Sequence, residues 1–332
     1  MKNILVTGGL GFIGSHTVVE LCKNNYNVII IDNLSNSNID VLDKLKKITK
    51  KEIIFYEDDV CNKEALKKIF KKEKIDAVIH FAGFKAVGES VEKPLKYYRN
   101  NLDSTLSLLE VMDEFACYNL IFSSSATVYG KPKSLPIKED FPLSTTNPYG
   151  TTKLFIEHIL EDLYASNNKW NITILRYFNP IGADKSGLIG ENPKDIPNNL
   201  MPYILKVVTK ELPVLRIFGN DYDTVDGTGV RDYIHVSDLA YGHVLALKNK
   251  KEGLKIYNLG TGHGTSVLEL VKTFEKVNNV KVNREITKRR PGDIDACFAS
   301  CDKAFKELGF KAKYDVEEMC LDAYNFIKKN TN

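Results

Sequence analysis

The stretch Thr7-Gly8-Gly9-Leu10-Gly11-Phe12-Ile13-Gly14 decides the fold of this chain. It follows the short apolar run Asn3 to Thr7 and opens a helical pattern from Phe12 to Lys23, so a strand, a glycine turn and a helix come in succession. Three of its glycines have the spacing G-x-G-x-x-G, in which backbone N–H groups at a helix N-terminus face a pyrophosphate. The stretch therefore predicts the first βα unit of a dinucleotide-binding domain.

Short apolar runs and longer helical patterns alternate through the first half of the chain, as in the βαβ units of a parallel sheet. The predicted strands are Asn3 to Thr7, Val28 to Ile31, Ile53 to Tyr56, Ala77 to Phe81, Asn119 to Ser123 and Ile172 to Arg176. The predicted helices are Phe12 to Lys23, Ile39 to Ile48, Lys63 to Lys72, Leu102 to Cys117 and Pro148 to Ser166. We therefore expect an α/β fold with a Rossmann-type doubly wound parallel sheet.

The composition of the sequence changes after Asn179, where predicted loops rich in proline, glycine and aspartate begin. This change predicts a smaller C-terminal lobe that binds the substrate over the carboxyl ends of the strands, where open α/β sheets bind ligands. The run Lys255 to Gly260 predicts a strand that returns to the main sheet. We expect a dinucleotide-binding domain over residues 1–178, completed by about 234–262, and a substrate lobe over residues 179–332.

Composition excludes several classes of partner. The chain has 332 residues and a formal net charge of +3, and its lysines are spread along helical patterns as solvated faces, which argues against a nucleic-acid partner. No apolar run approaches the roughly 20 residues that span a bilayer, so we expect no membrane segment and no signal peptide.

Cysteine usage predicts free thiols in a reducing cytoplasm, because the chain contains no Cys-x-x-Cys pair. Two of the cysteines, Cys297 and Cys301, are spaced for one helical face, but no histidine lies nearby to complete a zinc set. We expect no metal. The six cysteines are Cys22, Cys61, Cys117, Cys297, Cys301 and Cys320.

The residues around the glycine turn predict NAD as the cofactor. Asp32 ends the second strand, where a carboxylate holds the adenosine ribose 2′-hydroxyl and repels the 2′-phosphate of NADP. Asp59-Val60 is placed to meet adenine, and Phe81-Ala82-Gly83-Phe84-Lys85 to pass behind the cofactor. Asn100 either caps a helix or contacts the cofactor. In the turn, the expected contacts are Gly8, Gly11, Phe12, Ile13 and Gly14.

Tyr149 and Lys153 are four residues apart, downstream of the serine cluster Ser123-Ser124-Ser125. On a helix this spacing puts both side chains on one face, so the ammonium can stabilise the phenolate. Half ionisation near neutral pH requires a pKa lowered by about three units, on the order of 4 kcal/mol. Lys153 together with a cationic cofactor ring is expected to supply it. The pair therefore predicts a tyrosine that acts as a base.

With these residues, the chain resembles the extended short-chain dehydrogenase/reductase superfamily and, within it, the UDP-galactose 4-epimerase family. The resemblance covers nearly the whole chain. It is carried by Thr7 to Gly14, His80 to Gly83, Phe122 to Gly130, Tyr149 to Lys153, Arg176 to Asn179, Gly229 to Val236 and Arg289 to Asp293.

The resemblance implies reversible inversion at C4 of UDP-galactose and UDP-glucose through a 4-keto sugar. Ser124 is expected to hydrogen-bond the sugar 4-hydroxyl, and Tyr149 to take its proton while NAD accepts the hydride. Lys153 would lower the tyrosine pKa and bind the nicotinamide ribose. Further cofactor contacts implied by the family are Asn33, Ser123, Tyr149, Lys153 and Tyr177.

The second lobe is then expected to bind the nucleotide sugar. Arg231 and Arg290 are suited to the pyrophosphate, because guanidinium groups match its oxygens. Phe218 would stack on uracil and Asp293 would hold the uridine ribose. The substrate contacts implied by the resemblance are Ser124, Tyr149, Asn179, Asn199, Leu200, Phe218, Arg231, Arg290, Asp293 and Cys297.

Two alternative functions share the same fold. A nucleotide-sugar 4,6-dehydratase needs an additional acid and base just before the Val-Tyr-Gly segment, where this chain has Ala126-Thr127. A non-catalytic NAD sensor would usually have lost the tyrosine or the lysine.

The family also suggests a homodimer joined by a four-helix bundle. Two predicted helices, Leu102 to Cys117 and Pro148 to Ser166, carry more apolar positions than are needed for one face packed on the sheet. The family further suggests that the small Cys297 leaves room for an N-acetyl group at sugar C2, unless neighbouring residues close that pocket.

Overall fold

The structure is a computed structural model that describes residues 1–193, 197, 199–249, 251–290 and 293–330. Up to Tyr177 the elements are β1 (Asn3–Thr7), α1 (Phe12–Lys23), β2 (Asn27–Asp32), α2 (Asp40–Thr49), β3 (Ile54–Glu57), α3 (Lys63–Glu73), β4 (Ala77–His80), α4 (Val87–Glu92), α5 (Pro94–Glu114), β5 (Asn119–Ser125), a 3₁₀ helix (Ala126–Tyr129), α6 (Pro148–Ser166) and β6 (Asn171–Tyr177). The later elements are β7 (Asn179–Ile181), α7 (Leu200–Val208), β8 (Leu215–Phe218), β9 (Val230–Arg231), β10 (Tyr233–His235), α8 (Val236–Lys248), β11 (Leu254–Leu259), β12 (Thr265–Ser266), α9 (Val267–Asn278), β13 (Arg284–Thr287), β14 (Ala296–Cys297), α10 (Asp302–Leu308) and α11 (Val316–Asn330).

A seven-stranded sheet in the order β11-β6-β5-β4-β1-β2-β3 organises the first half of the chain. The pairings from β3 across to β6 are all parallel. β1 lies between β2 and β4, so the winding of the chain reverses beside it, and such a reversal creates a ligand crevice at the carboxyl ends of the strands. The prediction of a doubly wound α/β sheet is confirmed.

The core of this sheet explains why the strands read as apolar runs. Leu5, Ile29 and Val78 are completely or almost completely buried, as expected for strands covered by helices on both faces. Leu108 of α5 and Leu160 of α6 pack into the same hydrophobic cluster. These helices are therefore held firmly against the strands whose ends carry the site.

Two helices differ from the sequence prediction. α5 begins at Pro94 and not at Leu102, because proline is favoured at the first helical position, where its missing N–H has no intrahelical partner. α4 was not predicted. Asn100 consequently lies inside α5, and the alternative in which it caps a helix is wrong.

The chain divides into two compact units. The first comprises Met1–Gly130, Pro142–Tyr177 and Ala240–Tyr257, and the second comprises Lys131–Phe141, Phe178–Leu239 and Asn258–Asn332. Lys131–Phe141 belongs to the second unit because Ile137 exchanges backbone hydrogen bonds with Phe298 and Ser300 (2.9 and 2.7 Å). What each unit binds remains a prediction.

The second unit has small sheets and its own core. β8 pairs with β13, β7 with β10, and β9 lies between β12 and β14. Leu270 and Phe274 of α9 pack with Met319 of α11, and all three are fully buried. This core supports the strands on which the predicted substrate residues lie.

Two searches of the described residues gave negative results. No helix in the described part of the chain is both long and apolar enough to cross a membrane. The same residues contain no group of three or more histidine, cysteine, aspartate or glutamate side chains placed to hold a metal ion.

Candidate active site

The glycine turn brings α1 directly onto the end of β1. Gly8 has a left-handed φ of +66°, and a Cβ on Gly14 would lie 2.3 Å from the Gly8 carbonyl oxygen, so neither position accepts a larger residue without rearrangement. Gly11 precedes the helix, which opens with Phe12 and Ile13 and has no acidic residue in its first turn. The positive end of α1 is therefore not neutralised by its own sequence and fits a pyrophosphate.

Asp32 is fixed at the end of β2 by three donors. Its Oδ2 accepts a hydrogen bond from the Leu10 N–H (3.1 Å), and its Oδ1 accepts from the Leu34 N–H (3.0 Å) and the Ser37 hydroxyl (2.8 Å). The carboxylate is 8% exposed and is tied to the glycine turn through Leu10. Its position fits the predicted ribose contact.

The loop after β3 is joined to the end of β2. The Asn33 side chain donates to Asp59 Oδ2 (2.8 Å), and the Cys61 N–H donates to Asp59 Oδ1 (2.8 Å). Burial acts to raise the pKa of Asp59, but these hydrogen bonds outweigh it and hold that pKa below its usual value. Val60, which lies between Asp59 and Cys61 in the sequence, is buried in the hydrophobic core.

The loop after β4 is anchored to β1. The Thr7 hydroxyl accepts from the Phe81 and Ala82 N–H groups (both 3.1 Å) and also bonds the ring of His80 (2.8 Å). Burial lowers the pKa of His80 to about 3, and the charge of Lys153 acts in the same direction. His80 is therefore a neutral structural group.

Asn101, which sequence reasoning missed, ties this loop to two helices. Its amide donates to the Phe84 carbonyl (3.1 Å) and the Thr152 hydroxyl (3.0 Å), and its Oδ1 accepts from the Phe84 N–H (2.8 Å) and Asn100 (3.0 Å). A Cβ on Gly83 would lie 3.2 Å from Asn101 Oδ1. Across the loop, Lys85 Nζ lies 5.9 Å from the centre of the Phe12 ring.

The three serines that end β5 alternate between the two faces of the strand, so Ser123 and Ser125 lie on one face and Ser124 on the other. Ser123 is hydrogen-bonded to Tyr177 and Ser125 to Tyr149. Ser124 points the other way, is 1% exposed and donates to Glu157. Ser124 was expected to hydrogen-bond the sugar 4-hydroxyl beside Tyr149, but its buried hydroxyl is bonded to Glu157, and Ser125 is the serine that faces Tyr149.

Tyr149 and Lys153 are brought to the end of β5 by the start of α6. Asn147 caps this helix by accepting from the Gly150 N–H (2.8 Å), and Pro148 opens it. Lys153 Nζ donates to the Ser123 carbonyl (2.7 Å) and lies 6.0 Å from the centre of the Tyr149 ring. The predicted pair therefore lies on one helix face.

Burial affects the pKa of both members of this pair. Tyr149 keeps part of its surface exposed, yet burial raises the pKa of its phenol, and the hydrogen bond with Ser125 acts in the opposite direction. Burial also lowers the pKa of Lys153 to about 8, against the effect of Glu157, which raises it. The protein's own groups thus do not lower the Tyr149 pKa, because burial dominates.

Tyr177 has a buried partner that the sequence did not suggest. Its hydroxyl is hydrogen-bonded to Nε2 of His243, and the Phe81 ring lies 4.9 Å from the His243 ring, centre to centre. Burial raises the pKa of Tyr177, so this phenol stays protonated. Tyr177 and Phe81, both predicted to contact the cofactor, are therefore held by His243 of α8.

In the second unit, four predicted substrate residues lie together. Asp293 Oδ1 is 3.6 Å from Arg231 Nη2, and Asp293 Oδ2 accepts from Arg290 Nε (3.2 Å). The Arg290 guanidinium lies over the Phe218 ring, 4.5 Å from its centre. This group forms a cationic and aromatic surface. Pro291 and Gly292 of the same motif lie outside the described residues.

The remaining predicted substrate residues are spread around this group. Cys297 pairs with Arg231 in neighbouring strands, and burial raises its pKa to about 11, so it is a neutral thiol. The Asn179 N–H donates to the Asp232 carbonyl (2.9 Å), beside Arg231. Asn199 instead donates to Glu191 (2.9 Å), and Leu200 begins α7 and packs against the core of the unit.

Comparison with known proteins agrees with this geometry. The model of the family described as GDP-mannose 4,6 dehydratase matches residues 5–323. The UDP-glucose 4-epimerase of Bacillus subtilis (strain 168) is 56% identical over 331 residues, covering 99% of this chain and 98% of its own.

Solved structures give the same result. UDP-glucose 4-epimerase from Bifidobacterium longum, in complex with NAD+ and UDP, is 52% identical with a TM-score of 0.97 and covers 100% of this chain and 99% of its own. The enzyme from Stenotrophomonas maltophila, with bound NAD and formylated UDP-arabinopyranose, is 44% identical with a TM-score of 0.98 and the same coverage. The chain therefore belongs to the UDP-glucose 4-epimerase family, within the broader family of the GDP-mannose 4,6 dehydratase model.

Proposed function

We propose that this protein interconverts UDP-galactose and UDP-glucose by inverting sugar C4 through a 4-keto sugar, with NAD as cofactor. The observation that carries the proposal is the convergence of Tyr149, Ser125 and Lys153 at the end of β5. The high identity to UDP-glucose 4-epimerases supports it.

In this proposal Tyr149 takes the proton of the sugar 4-hydroxyl, and Ser125 shares a hydrogen bond with it. The first unit would hold NAD through the glycine turn, Asp32 and Lys153, and the glycine turn fits a pyrophosphate. When bound, NAD accepts and returns the hydride, and its positive ring favours the phenolate of Tyr149. Lys153 keeps a positive charge beside the tyrosine. Inversion at C4 further requires the keto sugar to present its opposite face before the hydride returns.

The second unit would bind the nucleotide part of the substrate. Arg231 and Arg290 carry the positive charge that a diphosphate needs, and Phe218 offers a ring on which uracil can stack. In this proposal Asp293, which contacts both arginines, orients them and accepts a hydrogen bond from the uridine ribose. Asn179, Asn199 and Leu200 remain proposed contacts.

The test is conversion of UDP-galactose by the purified protein, with products separated by chromatography and the reduced cofactor followed by its absorbance. We expect UDP-glucose to form with no net loss of cofactor. A dehydrated 4-keto-6-deoxy sugar as the product would instead support the dehydratase activity after which the matching family model is named. If no UDP-glucose forms and the cofactor is not reduced on adding sugar, the result would support a sensor and refute the proposal.

We further propose that Cys297 leaves space for an N-acetyl group, so that UDP-N-acetylglucosamine and UDP-N-acetylgalactosamine are also substrates. The small side chain of Cys297 in β14 and its pairing with Arg231 support this proposal.

A homodimer is proposed from an apolar face on α5 and α6. Leu95 is 78% exposed, Leu106 41% and Phe155 46%, and the Tyr98 and Phe155 rings lie 6.1 Å apart. Pairing of these two helices with those of a second copy would form a four-helix bundle and bury this surface. Light scattering at micromolar concentration should give twice the mass of 37.5 kDa, and a monomer would refute the proposal.

A cytoplasmic location is also proposed. It is supported by the six cysteines, all of which are free thiols in the structure.

A further inference from the structure

Helix α6 carries a third ionisable residue in register with Tyr149 and Lys153. Glu157 follows Lys153 by the same four-residue step, so the three side chains lie on one helix face. Glu157 is 0% exposed and Lys153 6%. The carboxylate is thus a buried neighbour of the lysine and has no role in the chemistry described above.

The contacts of Glu157 form a buried polar network. Arg176 donates from Nε to both carboxylate oxygens (3.1 and 3.2 Å) and from Nη2 to Oε2 (2.6 Å). Arg176 also donates from Nη1 to the Tyr129 hydroxyl (2.9 Å), and Ser124 donates to Glu157 Oε1. Buried ion pairs of this kind often add little to stability compared with apolar residues of the same volume. Stability alone is therefore a weak reason for this one.

Ser124 connects the network to the reacting groups. Its neighbour Ser123 offers the carbonyl that accepts from Lys153, and its other neighbour, Ser125, is hydrogen-bonded to Tyr149. Ser124 lies between these two neighbours in β5, so its hydrogen bond to Glu157 adds to the pairing with β6 that orients both.

We propose that Glu157 is a positioning residue for this reaction: through Ser124 it supports the end of β5, and its carboxylate places a negative charge on the helix face that carries Lys153 and Tyr149. The inference rests on the proposed roles of Tyr149 and Lys153.

The charge effect has a defined sign. The ionisable groups around Lys153 are Glu157 and Tyr149 from α6 and His80 from β4, which is neutral. Arg176 from β6 is paired with Glu157. Burial lowers the pKa of Lys153 to about 8, and the negative charge of Glu157 opposes this. Removing that charge must lower the Lys153 pKa further, so the lysine loses its proton at lower pH.

The test is Glu157→Gln, which keeps the shape of the side chain and an acceptor for Ser124. The titration of Lys153 is followed by NMR of protein with 13C-labelled lysine, the signal being assigned by its absence in Lys153→Met. We expect the midpoint to fall by about one pH unit or more. The alkaline decline of kcat should move to lower pH by a similar amount.

Glu161→Gln on the same helix is the matched control, since Glu161 is 44% exposed and pairs with His158; it should leave the titration and kcat unchanged. If Glu157→Gln folds poorly because Arg176 has lost its carboxylate partner, the titration is measured in an osmolyte such as sucrose, which favours the folded state, and the midpoint should fall in the same direction. An unchanged Lys153 titration, or a uniform loss of kcat at every pH, would overturn the inference. Failure of the wild-type protein to epimerise would instead refute the proposed function, and the lysine titration would still be measurable.

Discussion

The sharpest prediction compares alanine substitutions at two adjacent serines, Ser124 and Ser125. Ser125→Ala removes the hydroxyl that is hydrogen-bonded to Tyr149, whereas Ser124→Ala removes one donor to Glu157 and leaves those of Arg176 in place. The two variants delete the same atom from neighbouring positions, so they are matched controls for each other.

The magnitudes follow from what each hydroxyl contacts. A hydrogen bond to a group that carries charge during the reaction contributes about 1.5–3 kcal/mol, so Ser125→Ala should lower kcat on the order of 10- to 150-fold. Ser124→Ala should lower the free energy of unfolding by about 1–3 kcal/mol for a lost buried hydrogen bond, and should lower kcat by less than Ser125→Ala, because it acts only through the strand end. Ser125→Thr keeps the hydroxyl and should recover much of the lost kcat.

The assay is initial-rate conversion of UDP-galactose, with urea unfolding of each variant as the measure of stability. Ser125 also accepts a hydrogen bond from the Thr127 N–H (3.2 Å), so part of any stability loss in Ser125→Ala comes from the 3₁₀ helix. A Ser124→Ala protein of normal stability whose kcat falls as far as that of Ser125→Ala would refute the reasoning.

Four further substitutions test the other assignments. Tyr149→Phe should lower kcat about 100-fold or more while NAD remains bound, because only the base is lost, and unchanged turnover would contradict its role. Lys153→Ala should lower kcat by a similar factor and also weaken NAD binding. Asp32→Asn should weaken NAD binding by about 1–3 kcal/mol in a titration and reduce the discrimination against NADP. Purification of the wild-type protein with bound NADP would contradict the role of this carboxylate in selecting NAD. Cys297→Tyr should abolish turnover of UDP-N-acetylglucosamine and spare UDP-galactose, because only the larger group is excluded; a wild type inactive on the N-acetylated sugar would refute the open pocket.

The elements flanking the predicted site were readable from the sequence wherever a local signal marks their ends. β1, α1 and α6 have the predicted bounds, because the glycine turn separates the first two and Asn147-Pro148 caps and opens the third. α5 was placed too late in the chain, since the apolar periodicity becomes clear only after Leu102 whereas Pro94 sets its start.

Side-chain direction was much harder to read than element bounds. Three consecutive serines give no clue to which of them faces Tyr149, and an error of one residue turns the side chain to the opposite face of the strand. Glu157 continues the four-residue step from Tyr149 and Lys153, so that signal was present in the sequence. The hydrogen bonds of Asn101 and the contact of His243 with Tyr177 depend on tertiary packing and have no local signature.

Asp293 gives Arg231 and Arg290 an internal counter-ion, so both guanidinium groups are held before any anion arrives. Binding of a diphosphate at this surface would then be an exchange of one anionic partner for another. Such an exchange reduces the net electrostatic gain, but it also reduces the cost of immobilising long side chains, about 0.5–1.5 kcal/mol for each. On release, the arginines would return to the carboxylate and not to water, which lowers the barrier to letting a doubly charged product leave.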